Sequence, residues 1–282
     1  PSYVQYNPDI CAHGERGIAG CTQCIDVCPA ESLTSLAERI VVDPYLCHGM
    51  GSCVAVCPTG AMAYTYPNLA RTLDSLRRLL CSFHESTNKT AAILLFDSEH
   101  SGGAVEGAVG NMPTDIIPWR LEKSGSAGIE IWLSALAYGA RSVMIVTTKR
   151  TPLSTLSTLE SQVKLAHVLL DGLGYSDVCV RLVDVEQLVE PGDLALESPS
   201  RIETLATYGG FDDKRTVLRF ALDHLIQNAN ISSDVIDLPN GSPFGELVVN
   251  ADRCTLCMAC VSVCPSGAIG SDKGKTRLTF LE

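Results

Sequence analysis

Cys254-Thr-Leu-Cys257-Met-Ala-Cys260-Val-Ser-Val-Cys264-Pro265 is the stretch that decides how this 282-residue chain is read. Three cysteines spaced by two residues put three thiolates on one tight loop, where they can wrap three corners of a cubane iron–sulfur cluster. The fourth, Cys264, is carried away by a short helical turn before Pro265, and in such runs it ordinarily ligates a different cluster. Zinc is the main rival metal. Its sites draw on two separated ligand pairs rather than four thiols in eleven residues.

The same spacing recurs near the start of the chain in a degenerate form. Cys47-His48-Gly49-Met50-Gly51-Ser52-Cys53-Val-Ala-Val-Cys57-Pro58-Thr-Gly-Ala61 aligns without gaps to Cys254–Ala268, and Met50 falls where Cys257 stands. Ahead of it lie Cys11, a nine-residue insertion, and then Cys21-Thr-Gln-Cys24-Ile-Asp-Val-Cys28-Pro29. Between the halves, Ile40-Val-Val-Asp-Pro44 reads as a short strand and turn leading into the second motif.

Of the 13 cysteines, 11 sit in these two blocks and only Cys81 and Cys179 stand alone. A secreted disulfide scaffold is short, with an even count spread along the chain. Here the chain is long, the count is odd and no signal peptide precedes the first block, so reduced cytoplasmic thiols serving as metal ligands are the expectation. The chain opens at Pro1 rather than Met, which leaves room for an upstream segment. Cys81 and Cys179 fall on apolar helix or strand positions and read as core thiols. A net charge of −11 argues against a nucleic-acid or anionic-membrane binder and suits a basic protein partner. The longest purely apolar run, Ala91 to Phe96, is far short of the roughly 18–20 residues that span a bilayer.

At these residues the resemblance is to bacterial-type ferredoxins. Residues 1–67 resemble a two-cluster ferredoxin domain, and residues 244–282 resemble the first half of another. The resemblance implies that the fourth cysteine of each half crosses over. One cluster then takes Cys11, Cys21, Cys24 and Cys57; the other takes Cys28, Cys47 and Cys53, with Met50 in place of the missing ligand. A thioether is a weak ligand for cubane iron. Three outcomes stay open there: a [3Fe–4S] cluster, a [4Fe–4S] cluster with a non-Cys fourth ligand such as His48, or an empty site. Met50 as a mere space-filler is an equally simple reading. Cys254, Cys257 and Cys260 hold three corners of a further cluster and need a fourth thiolate from elsewhere, with Cys264 serving another, for a total of two or three [4Fe–4S] clusters. Arg277-Leu-Thr-Phe-Leu-Glu282 reads as the strand before a second motif, so the natural protein is expected to continue past Glu282.

The middle of the chain alternates helices and strands. Leu69, Leu73, Leu76, Leu80 and Phe83 mark one face of a helix, followed by a buried strand from Ala91 to Asp97. The Gly-rich stretch Ser101–Gly110 lacks the frame of a dinucleotide fingerprint or a phosphate-loop lysine and reads as a flexible loop. A strand over Asp115–Trp119 comes next. Ser126 is expected to cap a helix from Ala127 to Tyr138 that Gly139 stops. Strands over Ser142–Thr147 and Val178–Val183 bracket a long helix marked by Leu156, Leu159, Val163, Ala166, Leu170 and Leu173. Glu190–Ser200 is turn-rich, and a last helix runs from Asp213 to Asn228 with Val217, Phe220, Ala221, His224 and Leu225 inward. His167 reads as a partly buried packing residue. The alternation implies a parallel sheet with right-handed crossovers.

The fold class expected is thus α+β ferredoxin-like cluster domains flanking a central α/β domain with a small parallel sheet. The boundaries expected are 1–67, 68–190, a linker and helical segment over 191–243, and 244–282. The stretch from Trp119 to about Val189, with its core Glu130-Ile-Trp-Leu-Ser-Ala-Leu-Ala-Tyr-Gly-Ala-Arg-Ser-Val-Met-Ile-Val146, resembles the delta iron–sulfur subunit of hydrogenase–heterodisulfide reductase systems, without the cysteines that family carries in the matching loops and with only Cys179 left. The Cys11–Ala61 pattern resembles large ferredoxin-type proteins associated with formate dehydrogenases. These resemblances imply an electron-transfer subunit with a dehydrogenase or hydrogenase-type partner and a ferredoxin-like acceptor. No catalytic residues are read from the sequence. The alternative is an oxidoreductase or redox sensor whose α/β domain binds a flavin or nucleotide fed by the clusters.

Overall fold

A computed structural model describes residues 2–15, 18–175, 179–188, 202, 204–229, 235–244, 248–264, 269–272 and 277–280. The N-terminal part is built from short pieces. It comprises β1 (Val4–Tyr6), β2 (Gly14–Glu15), β3 (Ile18–Ala19), α1 (Gln23–Asp26), β4 (Leu33–Leu36), β5 (Arg39–Val42), α2 (Ser52–Val56) and β6 (Met62–Tyr64). β1 pairs antiparallel with β6, β2 with β3, and β4 with β5. Pro29 and Pro58, which lack a backbone donor, follow the two helical turns that α1 and α2 form. The small core holds Val4, Leu33, Ile40, Val54, Ala61 and Met62 together with cysteines.

The central part comprises α3 (Leu69–Thr87), β7 (Ala92–Asp97), α4 (Gly102–Ala108), β8 (Ile116–Leu121), α5 (Ile129–Ala137), β9 (Ser142–Thr147), α6 (Leu153–Gly172), β10 (Val180–Asp184) and α7 (Lys214–Gln227). The four strands form one parallel sheet in the order β10-β9-β7-β8. β7 and β9 are buried at all six residues, as strands covered on both faces must be. Ile93, Leu95, Val143 and Ile145 point to the larger core with Leu73, Leu76, Leu80 and Trp132. Ala92, Leu94, Phe96, Met144 and Val146 point the other way, onto Val105 and Leu188. Burying each such Leu or Ile contributes about 1.5–3 kcal/mol, so these two faces carry the domain.

The structure alters four local expectations. Ser101–Gly110 is not a loop: it contains α4, because a fully buried Val105 anchors it on the sheet and Ser101 donates to the Asp97 carbonyl at 2.8 Å. Gly128 rather than Ser126 precedes α5; the Ser126 hydroxyl donates instead to the Lys123 carbonyl at 2.7 Å. On α7 the buried positions are Lys214, Val217, Leu218, Ala221 and Leu225, while Phe220 and His224 are half-buried. Cys81 is half-buried on α3 rather than a core thiol, whereas Cys179 is buried as expected. The Glu190–Ser200 linker and Val178 lie outside the described residues.

Small residues and one lysine join the two parts. A Cβ on Gly51, which has φ of +80°, would stand 2.5 Å from Ser126 Cα; one on Gly125 would stand 2.7 Å from the Met50 carbonyl oxygen. The Ser52 and Thr155 hydroxyls are 3.0 Å apart across the same contact. Lys214, at the start of α7, reaches back to donate to the Val54 carbonyl at 2.9 Å and the Ala55 carbonyl at 2.6 Å. The turn carrying Met50 is therefore seated on the Ser124–Ser126 turn at the carboxyl edge of the parallel sheet, where Ser124 donates to the Asp97 carboxylate at 2.9 Å.

After Phe244, which packs on the larger core, come α8 (Ala259–Val263), β11 (Ile269–Ser271) and β12 (Leu278–Phe280), with β11 and β12 antiparallel.

Candidate metal centres

α1 and α2 are built alike, and each serves two places. Cys24 lies within α1 and Cys28 just past its end; Cys53 lies within α2 and Cys57 caps it. In both repeats the chain turns back three residues after the last cysteine through a left-handed position, Glu31 (φ 49°) and Gly60 (φ 76°). The result is an exchange of partners. Cys11, Cys21, Cys24 and Cys57 line one cavity of about 320 Å³. Cys28, Cys47 and Cys53 line a second, of about 370 Å³, together with Met50 and His48.

Burial and mutual charge shape these thiols. Cys24 is pushed up to about 12 by burial and by the neighbouring Cys57, Cys11 and Cys21. Cys53 is likewise pushed up to about 12 by burial, then by Cys28, Cys24 and Cys47. Burial also raises Cys21. A set of thiolates in so little water needs cationic charge at its centre. Cys24, Cys53 and Cys57 share one small core, so the two cavities adjoin.

The thiol sets fit a polynuclear group. Four cysteines border one open cavity. A tetrahedral zinc site needs four donors about 2.3 Å from one point, whereas a cubane holds its cysteines apart. Donors to sulfur are in place as well. The Ser32 N–H reaches Cys28 Sγ at 3.4 Å and the Met62 N–H reaches Cys57 Sγ at 3.5 Å. Hydroxyls of Ser32 and Thr59 stand 3.3 and 3.7 Å from the same sulfurs.

Two supporting residues escaped the sequence reading. Buried Tyr64 donates from its hydroxyl to the Gly49 carbonyl at 2.7 Å and so holds the loop beside Met50. Buried His13 has its ring nitrogens 2.8 Å from the Cys21 carbonyl and 2.7 Å from the Ser35 hydroxyl, tying the inserted segment to β4. A His two residues after Cys11 is a signal the sequence carries; nothing marks a strand tyrosine as a loop brace.

The C-terminal motif is more open. Cys257 is exposed, Cys254, Cys260 and Cys264 are half-buried, and α8 buries no residue. The Cys257 thiol is lowered by the Ala259 backbone N–H and by the Thr255 hydroxyl. Pro265 lies outside the described residues.

Comparison with known families agrees with this layout. Residues 3–58 match the 4Fe-4S dicluster domain, and residues 247–270 match the 4Fe-4S binding domain. No curated protein matched the chain. The chain is therefore an iron–sulfur protein with two ferredoxin-type domains and a central domain built on a four-stranded parallel sheet. Among the described residues no helix is long and apolar enough to cross a membrane.

Proposed function

We propose that this chain relays single electrons between a redox enzyme and an acceptor protein, without making or breaking substrate bonds itself. The observation that carries the reading is the pair of adjoining cysteine-lined cavities, each drawing thiols from both α1 and α2. Cys11, Cys21, Cys24 and Cys57 hold one [4Fe–4S] cluster. Cys28, Cys47 and Cys53 hold a second, either a [3Fe–4S] cluster or a cubane with a non-Cys fourth ligand. Cys254, Cys257 and Cys260 serve a third, with Cys264 facing another centre. Bound clusters of this kind accept and release one electron at a time.

The chain's own residues set the conditions for that exchange. Backbone and hydroxyl donors at Cys28 and Cys57 favour extra negative charge on sulfur, which raises the potential of each centre. Burial of Cys24, Cys53 and Cys57 keeps water from the sulfurs. The acidic chain suits a basic partner surface, and a formate dehydrogenase or a hydrogenase–heterodisulfide reductase system is the partner class we favour on the resemblances above. Thirteen cysteines free of disulfides suit a reducing, cytoplasmic setting.

The test is iron and sulfide analysis with electron paramagnetic resonance of anaerobically purified protein, before and after dithionite. Cys24→Ser and Cys28→Ser should each perturb a different reducible signal. Protein that binds zinc in place of iron, or gives no reducible signal, overturns the reading.

A further inference from the structure

A third opening, of about 570 Å³, lies between β6 on one side and α3, α5 and α7 on the other. Met62, Tyr64, Leu69, Leu121 and Ile131 give it apolar walls. It stands at the carboxyl end of β8 and the start of α5, the edge of a parallel sheet where ligands of open α/β folds bind.

The wall also holds Glu130, which is only 2 % exposed. Its Oε2 takes no hydrogen bond from any described residue. The nearest cation, the Lys214 ammonium, is 3.5 Å away and already donates to the Val54 and Ala55 carbonyls. A buried carboxylate oxygen left without a donor is costly, so this one is a place for a ligand donor to fill. Two more carboxylates, Glu122 and Asp212, are exposed residues lining the same opening. Asp212 is engaged by the Asn68 amide at 2.7 Å and the Ala70 N–H at 2.9 Å. Three carboxylates against one committed ammonium repel phosphate and carboxylate ligands and draw cations.

We propose that this cleft binds a small organic cation with an apolar body, an aryl or alkyl amine or amidine, whose N–H groups meet Glu130. The proposal is independent of which clusters the cysteines hold.

The full chain, purified anaerobically, is titrated with benzamidine and separately with benzoate, its anionic counterpart of similar shape, by calorimetry and ligand-observed nuclear magnetic resonance. Saturable one-to-one binding of benzamidine is expected, with none of benzoate. Glu130→Gln should weaken benzamidine about tenfold or more, the loss that goes with a charge-assisted contact. Ala63→Leu, which narrows the cleft from β6, should weaken it too, with the visible absorption of both variants unchanged. The proposal falls if the unaltered chain shows no saturable benzamidine binding up to about 10 mM, an affinity too weak to be specific. It falls equally if benzoate binds as well as benzamidine, or if neither substitution changes the affinity. Should one variant not fold, the other and the contrast between the two probes still decide.

Discussion

Met50 and Cys257 occupy the same position in two loops of one shape. Met50 lies between Gly49 and Gly51, with φ of 69° and 80°; Cys257 lies between Leu256 and Met258, with φ of 52° and 60°. The short helices that follow, α2 and α8, then begin at equivalent residues, Ser52 and Ala259. Met50 thus retains the backbone of a ligand position without a thiol. Met50→Cys should raise iron and sulfide content at the Cys28, Cys47 and Cys53 site and replace its resonance signal with that of an ordinary cubane. Unchanged iron content and an unchanged signal would show that this position does not face the cluster.

Gly51→Ala tests the seat of that loop. A left-handed alanine costs about 1–2 kcal/mol, and its methyl would meet the Ser126 backbone at 2.5 Å. Forcing that contact apart adds overpacking of about 1–3 kcal/mol. The denaturation midpoint should fall accordingly, and iron should be lost first from the site beside Met50. Gly103→Ala, on α4 with open space around it, serves as the control and should leave both unchanged or slightly improved.

Cys257 should be the most reactive thiol of the iron-free protein. It is exposed, and the Ala259 N–H and Thr255 hydroxyl lower it, whereas burial and neighbouring thiols push Cys24 and Cys53 up to about 12. Near neutral pH its thiolate fraction therefore exceeds theirs. Brief iodoacetamide treatment followed by peptide mass analysis should find Cys257 modified well before Cys24 or Cys53. Equal labelling would contradict the assigned environments.

What could be read from the sequence, and what could not, follows from how local each signal is. Cysteine spacing is dictated by the loop that holds it, so both blocks were legible without any fold. Apolar periodicity located α3, α6 and α7, and β9 lies at Ser142–Thr147 as expected. Ser101–Gly110 misled because its glycines argue against a helix, while the compensating burial of Val105 depends on the sheet beneath it. The contact of Met50, Gly51 and Ser52 with Gly125 and Ser126 leaves no periodic trace at all. Lys214 is the sharpest case: a lysine opening a helix reads as solvated, and only its partners more than 150 residues away make it internal.

Asp115 and Arg141 link the start of β8 to the start of β9, and the Arg141 guanidinium holds the Asp115 carboxyl below the usual carboxylate range. A carboxyl lowered by folding stabilises the protein above its unfolded pKa of about 3.9, and that contribution is lost as pH falls through the lower folded value. The half-exposed pair is screened, so the effect is about 1 kcal/mol or less. Asp115→Asn should reduce stability at pH 7 by that amount and flatten the dependence on pH below about 4. An Asn variant with an unchanged acid slope would show that the pair contributes nothing.

Lys214→Met removes a side chain that bonds α7 to α2, and it does two separate harms. The Val54 and Ala55 carbonyls lose a donor, and buried Glu130 loses the cation 3.5 Å from its Oε2. Breaking a buried pair from one side costs about 3–5 kcal/mol, most of it from the orphaned charge. Chemical denaturation should show a loss of that size, with faster release of iron on dilution into chelator. If the orphaned charge is the larger harm, Lys214→Met combined with Glu130→Gln should be more stable than Lys214→Met alone. The coupling in that double-mutant cycle should then be about 1–3 kcal/mol. If the two losses simply add, the clamp is only the pair of carbonyl contacts.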